Sequence, residues 1–453
     1  MGLSRALNVA QSGLQVYQAA LDVTSNNISN SSNTGYTRQK VVLASADPTS
    51  NGNFLWGNGV TLQDIQRVRD TLTDSQIRTN NSSYSYNNQS STVLGSVQTL
   101  FTEPSSNGLS DVTSAFFTSW QNLAVTPNSV SLRNNVIQAS QTLSNKIKTI
   151  NDGIASVKKD TANELNDKIA TLNTDLKQIQ NLNGQITAAS ASGQTANDLM
   201  DTRDNLIDEI SNLTNVNVTS DSNGAAVVTI GGTLAVDRTT VNQFSASEVN
   251  GKMVISSSNG STLPNISGGE IVALTDAYNN KIPEYQSSLD SFVNRLMTSV
   301  NSLHATGYSV TNSTQSGANF FDSYTGGTLN INQDLVNDPN KIAVSSDGTA
   351  SNGDVATSIA DLVNTKDSTG NTIVDNYTSL ISNIGSDTQY ATNQADSYST
   401  LLTQLNTQKS SYSGVSLDEE MTNVIQYQRS YEACAKVITT ANAMLETLIT
   451  MVS

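Results

Sequence analysis

Apolar residues recur in alternating steps of four and three at both ends of the chain. At the C-terminal end the row is Leu417, Met421, Val424, Gln428, Tyr431, Ala435, Ile438, Asn442, Leu445, Ile449 and Val452. At the N-terminal end it is Leu3, Leu7, Ala10, Leu14, Tyr17, Leu21, Thr24 and Ile28. This is the heptad spacing of a helix that buries one stripe against another helix. Ser416 and Glu419 form a capping-box sequence, and Asp418, Glu419 and Glu420 put negative charge at the positive end of the helix dipole. Residues 416–453 therefore predict a helix on the order of 50 Å long. Two arrangements satisfy the pattern. The helices could be outer staves of an intramolecular bundle, or a terminal coiled-coil hairpin that meets copies of itself or of related chains. Seams this sustained favour the second, since termini are ordinarily the least ordered part of a chain.

Between the ends the period changes several times. Residues 29–37 have loop composition, 39–44 read as an extended segment, and 62–100 predict a helix with Ile65, Val68, Leu72 and Ile77 on its apolar side. A short helix over 111–123 carries Phe116, Phe117 and Trp120 as core. The longest periodic run, 132–189, has no internal proline and predicts a rod-like helix. Residues 197–213 predict another, with Leu206 and Ile210 inward and Asp198, Asp201, Asp204 and Asp208 on a solvated face beside Arg203. Four Asn-Gly or Gly-Gly pairs then separate short β-branched runs at 216–218, 225–230, 234–236 and 253–256, the pattern of an antiparallel β-domain. Helix resumes at 268–306, with Pro283 as a kink or start, and again at 355–405. Strand-like pieces are expected at 329–331 and 342–344.

The expected fold is mainly α with a smaller β part: an elongated molecule with a terminal α-helical coiled-coil hairpin, a long helical bundle and a small inserted antiparallel β-domain. Residues 1–34 and 414–453 form the terminal unit. Residues 35–213, 268–306 and 353–413 form the bundle, and 214–267, with or without 307–352, form the outer β-domain.

Composition narrows the chemistry. Among 453 residues the net charge is −16, charged residues make up 14% and aromatics 5%. The largest basic cluster is Lys158-Lys159, which argues against nucleic-acid binding. No apolar run is long enough to span a membrane, and no signal-peptide core interrupts the polar N-terminal pattern. The single cysteine, Cys434, excludes an intramolecular disulfide and reads as a small hydrophobe at the seam's edge. With His304 as the only histidine, no HExxH site is possible and no Ser-His-Asp set can be argued, and no P-loop or calcium loop is present. The chain reads as a non-enzyme without catalytic, metal or cofactor-binding residues.

Several stretches carry a resemblance. Glu419-Glu420-Met421, Tyr427-Gln428-Arg429-Ser430-Tyr431 and the run from Val437 to Leu445 resemble the C-terminal signature of bacterial flagellar axial proteins. Asn26-Asn27-Ile28 followed by Gly35-Tyr36-Thr37-Arg38-Gln39 is similar to their N-terminal signature. Trp120-Gln121-Asn122-Leu123, Arg133 and the run over 197–206 are similar to the hook-associated protein 1 family. Between Phe321 and Leu329 there is room only for a short loop, where larger relatives carry an extra domain.

The resemblance implies a structural junction protein at the distal end of the flagellar hook, on which the filament assembles. It implies export from the cytoplasm without a cleaved signal to an extracellular position on the flagellum. The implied partners are further copies in a ring, the hook protein, hook-associated protein 3 and through it flagellin, and a cytosolic export chaperone. The chaperone would bind Val424, Tyr431, Ile438 and Leu445. The assembly interface would be Leu3, Leu7, Ala10, Leu14, Tyr17, Leu21 and Ile28 with Leu417, Met421, Val424, Tyr431, Ala435, Ile438, Leu445, Ile449 and Val452. The terminal helices are expected to order on assembly. Two other readings stay open: a hook or distal-rod protein, and a secreted coiled-coil adhesin or effector.

Overall fold

Helix α1 (Gly2–Ser29) ends where the chain turns to Asn, Ser and Gly, and the chain then doubles back as a ribbon. This computed structural model describes residues 2–51, 54–101, 103, 108–260, 262–263, 266–310, 316–368 and 370–452. Strand β1 (Gln39–Ser45) pairs antiparallel with β4 (Val60–Arg67), and between them β2 (Thr49–Asn51) and β3 (Phe54–Trp56) form a terminal hairpin. The ribbon lies along α1: Val9 and Ser12 pack against Gly59, and Arg5 stacks 5.1 Å from the Trp56 ring. The helix expected from residue 62 therefore starts only at Thr71. Val60–Arg67 is apolar enough for either state, but β1 offers it an antiparallel ladder of backbone partners, interrupted by one bulge at Val42/Leu43.

The body begins with α2 (Thr71–Phe101), α3 (Leu109–Val125), α4 (Val130–Ala191) and α5 (Asn197–Leu213). Helix α4 is 62 residues long and buries Leu143, Ile147, Ile150, Ile154, Leu165, Ile169, Leu172, Leu176 and Ile179 along one stripe. Gly153 does not break it. A Cβ there would come within 2.7 Å of Leu100, so the missing side chain lets α2 approach. Two small sheets follow: β5 (Val216–Ser220), β6 (Ala226–Ile230) and β7 (Thr233–Val236) in sequential antiparallel order, and the hairpin β8 (Phe244–Val249) with β9 (Lys252–Ser257). Asn250 and Gly251, at φ 53° and 78°, make the tight turn of that hairpin.

Helices α6 (Gly269–Asp276) and α7 (Ile282–His304) run on through a widened π turn at Ala277–Lys281. Pro283 sits in the first turn of α7, where its missing N–H costs the ladder a donor and the helix widens rather than stops. The hairpin β10 (Phe321–Thr325) with β11 (Thr328–Ile331) closes tightly, as expected for that segment. Short α8 (Gln333–Asn337) and α9 (Asp354–Ala360) precede α10 (Ile373–Ser413), which packs along α2, and Gly414 caps it before α11 (Leu417–Val452). The strand expected at 342–344 is absent. The carbonyl of Ile342 accepts from the buried Arg133 guanidinium at 2.6 Å, and the Ala343 N–H donates to His304 Nε2 at 3.0 Å. Side chains satisfy the backbone at these two groups, while Val344 bonds the backbone of Tyr308 and Val355.

One device recurs at five places where a helix meets extended chain. An asparagine side chain pairs with both backbone groups of one residue, as a neighbouring strand would. Asn27 does so with Gln39, Asn173 with Phe244, Asn183 with Ala226, Asn279 with Met253 and Asn301 with Phe321, all at 2.7–3.0 Å. These five asparagines are structural cement, not surface filler. Aromatic packing holds the far end of the body, where Phe116, Trp120, Phe320 and Phe321 stack edge to face around His304. His304 also donates from Nδ1 to the Ala318 carbonyl, and burial lowers its pKa to about 4, so it is a neutral structural bridge.

Candidate functional site

Helices α1 and α11 run antiparallel. Tyr17 meets Tyr427 at 6.4 Å between ring centroids, Gly13 faces Cys434, and Asn27 reaches Glu420. The pair has small residues at its centre: Ala10, Gly13 and Ala20 on α1 are buried, and Ala441 on α11. A Cβ on Gly13 would lie 2.8 Å from the Cys434 sulfur. Cys434 is half-buried in this contact.

The row of α11 that faces α1 differs from the one read from the pattern. Glu420, Tyr427, Cys434 and Ala441 form one side of the contact, and Val424, Ile438 and Leu445 the other. Met421, Ala435, Asn442 and Ile449 sit one residue further round, on a flank. Leu417, Met421, Tyr431 and Ile449 are exposed, Ile449 at 68%, and Ala435 is half-buried; the Val452 side chain lies outside the described residues. On α1, Ala10 is buried, while Leu3, Leu7, Leu14, Tyr17, Leu21 and Ile28 are half-buried. Val16 and Asn27, which the heptad reading did not single out, are buried instead. The hairpin therefore carries more apolar surface than its own two helices consume.

The base of the hairpin is a polar joint. Glu420, 1% exposed, accepts from Asn27 Nδ2 at 3.1 Å and from Arg38 Nε at 2.8 Å, and Arg38 also pairs with Glu419 at 2.6 Å. Burial works against the Arg38 charge, but the two glutamates outweigh it and its pKa is raised. Asn27 Oδ1 accepts from the Tyr36 hydroxyl at 2.7 Å. The Thr37 N–H donates to Asp201 at 2.9 Å, which ties the loop after α1 to α5. Arg67 bridges Asp201 and Asp204 at 2.7 and 2.8 Å, Arg69 pairs with Asp204 and with Asp74, and Arg203 reaches Asp204 at 3.0 Å. Lys409 of α10 closes the ring onto Asp74 at 3.2 Å and Asp208 at 3.5 Å.

Of the four carboxylates expected on a solvated face, Asp198 is exposed and Asp208 half-buried, but the other two are not solvated. Asp201 and Asp204 are buried. Burial pushes the Asp204 carboxyl up, but Arg69, Arg203 and Arg67 hold it below the ordinary carboxylate range. The helical period alone turned them outward, because it could not see the ribbon that covers that side of α5. A signal was present nonetheless. Five of the chain's ten arginines, Arg38, Arg67, Arg69, Arg78 and Arg203, converge here. Among the described residues, no group of three or more His, Cys, Asp or Glu side chains is arranged to hold a metal ion, and no helix is long and apolar enough to cross a membrane.

A side-by-side antiparallel pair of terminal helices with a surplus apolar flank, keyed into the body through a polar joint, is the form of a structural subunit that associates through its ends. Both ends match families of that class. Residues 7–37 match the flagella basal body rod protein family, and residues 408–451 match the C-terminal part of the flagellar basal body rod FlgEFG proteins. Residues 94–321, half of the chain, match the helical domain of flagellar hook-associated protein FlgK, and the chain belongs to that family of flagellar structural components.

It is 29% identical to flagellar hook-associated protein 1 of Bacillus subtilis (strain 168), covering 98% of this chain and 97% of that one. It is 27% identical to the protein of the same name from Salmonella typhimurium, covering 99% and 100%. The structure of the flagellar hook junction protein FlgK from Burkholderia pseudomallei shares the fold, with a TM-score of 0.64 at 13% identity over 75% of this chain and all of that one.

Proposed function

We propose that this chain is the junction subunit at the distal end of the hook, polymerising through α1 and α11 into a ring on which the filament assembles. The observation that carries this reading is the surplus apolar flank of the terminal hairpin. Met421 and Ile449 are exposed beside the half-buried row Leu3, Leu7, Leu14 and Leu21. Apolar surface of this extent on a lone subunit favours association, at roughly 25 cal/mol for each Å² removed from water. The assembly domain is taken as residues 1–34 with 414–453, the bundle as 35–213, 268–306 and 353–413, and the outer part as 214–267 with or without 307–352.

On this reading the hook protein lies below the ring. Hook-associated protein 3, and through it flagellin, lies above. The chain leaves the cytoplasm through the flagellar export route without a cleaved signal, and it catalyses no reaction. Before export, a chaperone covers Val424, Tyr431, Ile438 and Leu445. Tyr431 is already exposed, while Val424, Ile438 and Leu445 become fully available once α11 leaves α1, since they lie half-buried in that contact.

The test is a full-length Leu14→Ser/Met421→Ser variant expressed in place of the parent. Cells should form hooks, secrete the variant, and release flagellin into the medium without retaining filaments. Filaments retained at the parental level would overturn the reading.

A further inference from the structure

A cavity of about 460 Å³ opens where the base of the ribbon, α2, α5 and the sheet β5–β6–β7 meet. Its walls carry four arginines, Arg67, Arg69, Arg78 and Arg203, against two aspartates, Asp74 and Asp204. In a chain of net charge −16 this is a local excess of positive charge. The ion pairs around it do not use up the arginines. Asp204 alone serves three of them, Arg67, Arg69 and Arg203. Arg67 hydrogen-bonds through Nη1 alone, to Asp201 and Asp204, and Arg78 through Nε alone, to Asp208. Asp201 and Asp208 do not line the cavity. Among the described residues, Arg67 Nε and Nη2 and both Nη groups of Arg78 therefore keep donors without an acceptor. Arg203 is 4% exposed, and burial, with the charges of Arg67 and Arg69 beside it, leaves its pKa lowered in spite of Asp204. Ser75 and Asn217, which also line the cavity, are exposed, so it is open to solvent.

We infer that this cavity binds a compact polyvalent oxyanion, a ligand with two or more carboxylate or phosphate groups. A guanidinium fork matches either group by paired N–H···O bonds. The two forks that are not fully used belong to different elements, the end of β4 and α2, so a ligand with more than one oxyanion group has a group for each. The cavity is of the size that takes small ligands. A bound anion offsets the like-charge repulsion around Arg203 and bridges the ribbon to the body. It therefore stabilises the joint that carries the terminal hairpin, by binding only the folded form. The site lies within one subunit and is independent of how copies assemble.

The experiment titrates the purified full chain by calorimetry with citrate, diphosphate and acetate at one ionic strength. Citrate and diphosphate should each bind at one site per chain, at least tenfold more tightly than acetate, and should raise the melting temperature. The tighter of the two identifies the group that the forks prefer. Arg78→Gln should weaken both at least fivefold. Ser75→Glu keeps every arginine but sets a carboxylate in the cavity, and it should weaken them as much, so the test survives if Arg78→Gln disturbs the fold. Lys148→Gln, on an exposed stretch of α4 outside the cavity, should bind as the parent does. The lack of a saturable site in the parent, or binding that either folded cavity variant leaves within twofold of the parent, would overturn the inference.

Discussion

Two buried titratable side chains have opposite pH dependences. Asp175, 8% exposed, has its pKa raised to about 6, first by burial and then by the charge of Glu209. Its contribution is fully present below the unfolded carboxylate value and is lost as pH rises through 6. His304 has its pKa lowered to about 4 by burial. Its contribution is present above the unfolded imidazole value and is lost as pH falls toward 4. Each spans roughly two pKa units, or about 3 kcal/mol at most, and between pH 4 and 6 the slopes have opposite signs. The two contributions therefore offset one another over that window, so Asp175 should make the parent's melting temperature fall less steeply with acid than it would without that carboxyl. Asp175→Asn should be more stable than the parent at pH 7 and should lose stability steadily from pH 6.5 to 4, as thermal unfolding at several pH values will report. A variant whose profile parallels that of the parent would contradict the assignment.

At the level of the element, the α1–α11 hairpin depends on close approach. Gly13 leaves room for the Cys434 sulfur, and adding only a methyl group there meets it at 2.8 Å. A cysteine rotamer can yield to one methyl, and alanine is the better helix former by about 1 kcal/mol, so Gly13→Ala combined with Cys434→Ala should strengthen the hairpin. Gly13→Leu should wedge the helices apart. Amide exchange of residues 420–445 is the measurement: slower than the parent in the first variant, faster in the second. Uniform protection across all three would show that the two helices do not rely on this contact. The joint at the base of the hairpin acts differently. Asn27 and Glu420 fix where the hairpin meets the body, by hydrogen bonds and charge instead of apolar area.

Across the whole molecule, the main hydrophobic core is confined to the body. It runs from Val93 to Ile384 and takes in α3, α4, α7 and both outer sheets, without a residue from α1 or α11. A domain with its own core can fold alone. A chain lacking residues 1–29 and 417–453 should therefore stay folded, with a cooperative thermal transition within a few degrees of the parent. It should fail to hold filaments on hooks. Loss of the cooperative transition on truncation would mean that the terminal hairpin is part of the folding unit, contrary to the division of the core.

Local pattern was enough for the helices and their periods: the heptads of α1 and α11, the unbroken run of α4 and the Asn-Gly hairpin at Asn250 are all set by residues near one another in sequence. The family resemblance lay in short motifs and was legible for the same reason. What local pattern left open was which side of each element finds which neighbour. The strand at Val60–Arg67, the burial of Asp201 and Asp204, the asparagine pairs and the row of α11 that faces α1 depend on partners tens to hundreds of positions away. A heptad constrains the spacing of a seam but not its azimuth when apolar residues occupy several adjacent rows. Only the docking of α1, with Gly13 against Cys434 and Asn27 on Glu420, selects one row and leaves the next one open.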